Sequence, residues 1–301
     1  MTALMYVGAA IAGGLGMYFG ISGAFELIFY RARRERAAEW KCQPRRWLSP
    51  KMLRQQLLLG TANVVAASIA SGLFASYLAG GGRSAVYFDW RERGALYTVA
   101  ATVFYFLITD AGLYWAHRTF HVPVLFRYIH RLHHRFVSPN AFTAMAMHPV
   151  ELVVYQTLML LPLFVLPLHV GGLIFVLVYQ NYVGMLDHSG VDLHSWVPWQ
   201  PPTRFHDDHH VHFHVNYGQN LSLWDRLFGT YRRQGRLYGV EVFGGRGAPA
   251  SGGSDGSDGS NGEAGLAPLV DYSRKMARPS VTASAPVPVV AAAAAAADPT
   301  S

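Results

Sequence analysis

One cysteine, Cys42, stands among 301 residues. An internal disulfide is therefore excluded, and so are cysteine-built zinc and iron–sulfur sites. A lone thiol fits a reducing compartment. Charge is sparse too: 14% of residues are Asp, Glu, Lys or Arg, whereas 51% are hydrophobic. Ordinary soluble domains carry about 25% charged residues, so the deficit marks a membrane protein. No basic segment precedes the first apolar stretch, and that stretch is too long for the core of a cleaved signal peptide. No Lys-Asp-Glu-Leu retrieval sequence ends the chain. Histidine is missing from the first 116 residues and from the last 87.

All 14 histidines thus fall between His117 and His214. Three groups share one grammar: His117-x-x-x-His121, His130-x-x-His133-His134 and His206-x-x-His209-His210. Residues three and four apart share a helix face, so each group is expected to aim its imidazoles in one direction. A lone histidine is usually a surface or core residue, but three groups at ligand spacing point to metal. Eight imidazoles exceed the four or so ligands of one tetrahedral site, and the spacing reads as two metals held between helices. All-nitrogen ligation suits iron, zinc and copper alike.

Residues 3–30 carry a single charge, Glu26, and are long enough to span a bilayer. Within them, Gly16-x-x-x-Gly20 is either a helix-packing face or incidental glycine. Residues 55–80 form a second span, and residues 95–116 a third that runs directly into His117. Residues 152–186 hold no formal charge but are interrupted by Pro162, Pro167 and Gly171-Gly172. They read as a helical hairpin that enters and leaves on one side. From about Gly244 a Ser/Gly/Asp-rich stretch and seven alanines, Ala291 to Ala297, read as a disordered tail.

The net charge of +7 has a local source: nine Lys or Arg between Arg31 and Arg54 stand against Glu35 and Glu39. This basic run follows an apolar span, so lipid headgroups rather than nucleic acid are its expected partner. The loop after span two has three basic residues, the segment 118–135 four and 204–236 five. The heavier side is the cytosol by the positive-inside rule, which puts the N-terminus outside and every histidine group on the cytosolic face.

His188, in Asp187-His188-Ser189-Gly190, lies at the hairpin exit and is the ninth ligand candidate. His148, directly before Pro149, is a further candidate. His169 marks the hairpin tip and is assigned a structural role; His194, His212 and His214 are neighbours without an assigned role. Asp207 and Asp208 are expected to accept ring N–H groups rather than to ligate. Asp110 shares a helix face with His117 and reads as such an acceptor, a proton relay or a plain interfacial carboxylate.

These residues resemble the fatty acid hydroxylase / sterol desaturase superfamily. The resemblance rests on the three histidine groups, on His148-Pro149 and Asp187-His188-Ser189-Gly190, and on Asn216-Tyr217-Gly218 through Leu223-Trp224-Asp225-Arg226-Leu227-Phe228-Gly229-Thr230. Trp40-Lys41-Cys42-Gln43-Pro44 extends it to roughly residues 40–235, and the layout is most similar to C-5 sterol desaturases. His212 and His214, which crowd the third group, and the long tail depart from the pattern. The resemblance implies two iron ions (zinc in a purified form) and O2, with electrons from NAD(P)H through cytochrome b5 and its reductase. It implies hydroxylation or desaturation of a membrane lipid, a sterol or fatty acyl lipid, in the endoplasmic reticulum, or in the inner membrane of a bacterium. No His-Pro-Gly-Gly haem signature of a fused cytochrome b5 is present.

The expected architecture is an all-α integral membrane protein. It has about four membrane-embedded helical elements, namely two spans, a third running into the site and a helical hairpin, capped by a cytosolic helical histidine-rich metal domain. Residues 1–94 would hold the first spans and basic loop, 95–236 the catalytic domain and 244–301 the tail. Two readings compete: a fatty acid or sphingolipid hydroxylase of the same superfamily, and a histidine-rich membrane metal transporter or sensor. A transporter should place its ligands at mid-membrane depth, whereas these groups lie at span ends.

Overall fold

A computed structural model describes residues 2–232 and the backbone of two short strands, Arg236–Leu237 and Ala248–Pro249. The rest of the tail expected over 244–301 lies outside the described residues. Helix α1, Ala3–Phe25, continues as a π-helical turn, Glu26–Arg31. Helix α2, Pro50–Ala79, opens on Ser49, whose Oγ accepts from the Met52 N–H, with Pro50 at the first helical position. It starts five residues before the expected 55, because Lys51 and Arg54 occupy its first turn. Long basic side chains there reach the headgroups while their stems stay on the apolar helix.

Helices α1 and α2 lie side by side at close range. A Cβ on Gly72 would stand 2.5 Å from the Val7 Cα, and one on Gly60 would stand 2.1 Å from the Tyr18 hydroxyl. Gly16 and Gly20 face open space. Of the two readings of Gly16-x-x-x-Gly20, incidental glycine holds: the clearance comes from Gly60 and Gly72 of α2 and from Gly14 of α1, where a Cβ would stand 2.5 Å from the Ser68 hydroxyl.

Helix α3, Gly94–Phe120, runs four residues past the expected 116 and carries His117 within it. A π-helical turn, Phe126–His130, leads into the short α4, Arg131–His134. Helix α5, Pro149–Leu160, and helix α6, Val170–Asp187, form the expected hairpin. Its tip is tied to the α2–α3 connection by parallel pairing of β1, Val86–Tyr87, with β2, Leu168–His169. His169 caps α6 by accepting from the Gly171 N–H, and its other ring nitrogen faces the Phe88 carbonyl. Helix α7, Arg204–His212, and the short α8, Leu223–Leu227, complete the described residues.

Polar side chains inside the spans are used between helices, as a low-dielectric surround requires. Gln56 donates to the Asn140 side chain, and Asn63 donates to the Met145 and Met147 carbonyls. The segment around 140–147, which contains the 3-10 turn Ala141–Met145, is thereby sealed against α2. Gln156 bonds Ser71, and Gln180 bonds Thr109. Four helices, Ala3–Arg31, Pro50–Ala79, Gly94–Phe120 and Val170–Asp187, are long and apolar enough to cross a membrane. The chain is an all-α, multi-pass membrane protein whose hairpin and spans deliver their histidine-bearing ends to one region.

Candidate metal centre

The structure gathers nine imidazoles into two buried clusters. His117, His121, His130, His134 and His209 form one; His133, His188, His206 and His210 form the other, with ligand atoms in each within 4.8 Å of one another. These are the nine histidines singled out from spacing and from the hairpin exit. The expectation that each group aims one way is corrected. In every group the pair four residues apart stays together, whereas in the second and third groups the histidine three residues on crosses over. His130 and His134 enter the five-histidine cluster while His133 enters the other; His206 and His210 enter the four-histidine cluster while His209 enters the first. Adjacent helical residues diverge by about 100°, which separates His133 from His134 and His209 from His210. Two short helices thus each serve both clusters.

Hydrogen bonds on the outer ring nitrogens fix which nitrogen faces inward. The Nδ1 of His117 faces the Tyr217 carbonyl at 2.8 Å, that of His209 the Val215 carbonyl at 2.6 Å, that of His188 the Gly184 carbonyl at 2.7 Å and that of His133 the Ala146 carbonyl at 3.3 Å. A carbonyl only accepts, so in these rings Nδ1 carries the proton and Nε2 the lone pair. Yet the Nε2 atoms of His133 and His188 stand 3.1 Å apart, and His206 Nε2 is 3.0 Å from His188 Nε2. In the five-histidine cluster, His134 Nε2 is 3.1 to 3.2 Å from the Nε2 of His121, His130 and His209. His133 and His188 both hold their proton at Nδ1, so their facing Nε2 lone pairs repel unless a cation draws them together.

The spacing has the right magnitude for that cation. Metal–nitrogen bonds of about 2.0–2.1 Å set at right angles put neighbouring nitrogens about 3 Å apart, against about 3.4 Å in a tetrahedron. The donor set fits a pair of first-row transition metals, and five nitrogens in one cluster exceed a tetrahedral shell.

Burial keeps the rings neutral. It pushes His121, His133, His134, His206, His209 and His210 well below the ordinary histidine value, with neighbouring histidines adding to the effect. His188 is lowered to about 4, mainly by burial. Neutral imidazole is the ligating form.

The carboxylate that accepts from a ring is Glu151, which was not foreseen. Its Oε2 lies 2.5 Å from His130 Nδ1, and both side chains are buried. Glu151 is the third residue of α5 and the last formal charge before the uncharged stretch 152–186, which was the available signal. His148 falls outside both clusters: its Nδ1 accepts from the Val150 N–H and its own N–H bonds Glu151 Oε1, so it caps the helix that carries Glu151.

The three aspartates considered as ring acceptors have other partners, which corrects that assignment. Asp110 accepts from the Asn220 main chain and side chain and from the Trp224 indole. Asp207 accepts from Gln43, and burial raises it to about 6, partly offset by that bond and by Lys41. Asp208 pairs with Arg232 at 2.9 Å. Among the remaining histidines, His194 is exposed, His212 ends α7, and His214 approaches the His121 ring at 6.1 Å from outside the clusters.

Two other segments hold the clusters in place. Asp225 accepts from the Tyr217 and Gly218 N–H groups and from the Thr230 hydroxyl, while Asn216 is bonded to Thr230 and Phe205. This knot presents the Val215 and Tyr217 carbonyls to His209 and His117, and it explains why Asn216-Tyr217-Gly218 and Asp225 through Thr230 occur together. Trp40–Gln43 forms a strap. Lys41 pairs with Val191, the Cys42 N–H bonds the Gly190 carbonyl, and the buried Lys41 ammonium, lowered by burial to about 8, donates to Ser138. Gly190 is at φ +67, and a Cβ there would meet the Pro139 carbonyl at 2.4 Å, so the Ser189-Gly190 turn requires glycine.

Known proteins place the same stretch in one family. The fatty acid hydroxylase model matches residues 102–230. A Delta(7)-sterol 5(6)-desaturase of Candida glabrata is 32% identical over 191 residues, covering 61% of this chain and 52% of that protein. One of Leptosphaeria maculans is 32% identical over 148 residues, 48% of this chain and 41% of that protein. Methylsterol monooxygenase 1 of Gallus gallus is 36% identical over 150 residues, 48% and 50% of the two chains. The chain thus spans about half the length of the curated relatives it matches, and no solved structure matches it. With its histidine clusters inside the matched region, residues 102–230 match the fatty acid hydroxylase family, and the chain resembles the C-5 sterol desaturases.

Proposed function

We propose that this chain is a membrane di-iron oxidoreductase that desaturates or hydroxylates a lipid, with a sterol as its substrate. Two buried clusters with mutually facing Nε2 atoms carry the reading. His117, His121, His130, His134 and His209 would hold one iron, and His133, His188, His206 and His210 the other. Bound iron supplies the redox chemistry with O2, using NAD(P)H-derived electrons through cytochrome b5 and its reductase. Iron is preferred to zinc because the proposed reaction with O2 needs a redox metal and zinc has no redox chemistry.

The protein's own part is positional. The Ala146, Gly184, Val215 and Tyr217 carbonyls and the Glu151 carboxylate hold the outer ring protons of His133, His188, His209, His117 and His130 at Nδ1, so in these five rings Nε2 is free to ligate. Burial of every ligand ring excludes water. The clusters lie at the ends of α3 and α6, where a lipid can enter from the bilayer, and the basic residues of 31–54 offer a docking face for an acidic electron donor. The positive-inside bias of the same residues supports a cytosolic orientation for this face, in the endoplasmic reticulum or in the inner membrane of a bacterium. A sterol is preferred over a fatty acyl lipid because the relatives this chain matches are named for sterol reactions. A transporter is disfavoured by the location of both clusters at span ends.

Expression in a host lacking its C-5 sterol desaturase, followed by sterol profiling and metal assay, tests the assignment. The expected result is a restored desaturated sterol and two irons per chain. His133→Ala should abolish the product while leaving the protein in the membrane. Full activity in that variant would overturn the ligand set.

A further inference from the structure

The segment between α6 and α7 has a composition and a path that its neighbours do not share. From Leu193 to Thr203 it holds no formal charge, and it contains Trp196 and Trp199. Its base is closed. Thr203 accepts from the Leu193 N–H through Oγ1 and bonds the Val191 carbonyl, and Arg204 forms an ion pair with Asp192. Leu193 packs against the buried cluster of Tyr30, Trp40 and Val191, beyond the end of α1. Both flanking charges are therefore at the base, and the eleven residues between them form an uncharged loop.

That loop turns back along the membrane helix instead of away from it. Gln200 is buried and receives a hydrogen bond from the Tyr179 hydroxyl at 3.4 Å. Tyr179 lies eight residues before the end of α6, which is about 12 Å down the helix axis. Around it the outer face of α6 presents Phe175, Val178 and Tyr182, all exposed and, in a span, facing lipid. Trp199 is 58% exposed at this level, and Trp196 is fully exposed at 100%.

We propose that the Leu193–Gln200 loop inserts into the bilayer as an interfacial anchor, with lipid covering Trp196 and Trp199. Indole suits this boundary because its ring is apolar and its N–H can bond at headgroup level. The loop is continuous with the lipid-facing surface of α6, which favours lipid over a protein partner as the occupant. It also leads directly into α7, so it would fix the depth at which His206, His209 and His210 meet the membrane. The inference rests on the membrane-spanning reading of α6 and not on any catalytic activity.

Spin labels at Trp196→Cys and Trp199→Cys in the full chain, reconstituted in lipid nanodiscs, test it. The native Cys42 is buried with its thiol pushed up by burial, so labelling goes to the introduced site. Val178→Cys gives the lipid reference and Ser49→Cys the aqueous one. Both loop labels should match the Val178 label, with high accessibility to O2 and low accessibility to a water-soluble nickel chelate. Accessibility matching Ser49 would overturn the proposal in favour of a solvated loop. Low accessibility to both probes would overturn it in favour of a protein partner or a second copy. A variant that keeps the native backbone, Trp196→Phe with Trp199→Phe, provides a second reading. Quenching of tryptophan fluorescence by brominated lipid should fall relative to the wild type, and an unchanged quenched fraction would also overturn the proposal.

Discussion

Glu151 shows how one side chain outside the histidine pattern governs a ligand inside it. Removing its carboxylate leaves the His130 Nδ1–H without an acceptor in a buried site. Loss of such a partner typically weakens metal binding by about 10–100-fold. Glu151→Ala should show a loss of that size in chelator competition, and Glu151→Gln, which keeps an oxygen acceptor, a smaller one. His148→Ala should retain the full metal complement while losing the α5 cap, at a cost of about 1 kcal/mol in stability. Loss of one metal per chain in that variant would return His148 to the ligand set. The nine clustered imidazoles were legible in the sequence because their spacing is a local property of a helix. Their division into five and four was not, because it depends on where two short helices stand relative to α3 and α6. Nor were the ring acceptors: four are main-chain carbonyls, which leave no side-chain signal, and Asp207 and Asp110 are nearer in sequence to the clustered histidines than Glu151 is.

At the scale of elements, apolar length located the spans, and misjudged their ends. Charges such as Lys51 and Arg54 mark the end of an apolar run, but a helix continues through them when its first turn can reach headgroups. The hairpin was visible through Pro162, Pro167 and the paired glycines. Which glycines admit a neighbouring helix was not visible, since clearance is a property of two helices together. Gly72 faces the Val7 backbone, which cannot move aside as a side-chain end can. Gly72→Ala should therefore separate α1 from α2 and lower the unfolding temperature in nanodiscs. Gly16→Ala, with nothing within 4 Å, should leave it unchanged or raise it, by up to about 1 kcal/mol from helix propensity. The reverse order of the two variants would show that the helices pack through the Gly16 face.

The whole molecule concentrates neutral imidazole in a dry volume, and this couples folding to pH. In the unfolded chain a histidine titrates near 6.5, whereas His188 in the fold is lowered to about 4 by burial. Between those values the unfolded chain binds a proton that the folded chain excludes. The stabilisation is therefore complete above about 6.5 and is lost as pH falls, by about 1.4 kcal/mol per unit for each such group. The other buried rings shift in the same direction, so their losses act together. Lipid contacts of the spans do not titrate and cannot offset them. Metal-stripped protein in nanodiscs should thus show an unfolding temperature that is steady from pH 8 to 7 and falls progressively from about 6.5 toward 5. Metal-loaded protein should hold out to lower pH, because ligation competes with protonation at the same Nε2 atoms, and then fail over a narrower range as the ions leave. An unfolding temperature of the stripped protein that stays flat down to pH 5 would show that the rings are solvated in the folded state. The two clusters would then not be the dry, preformed centre that the lone-pair geometry describes.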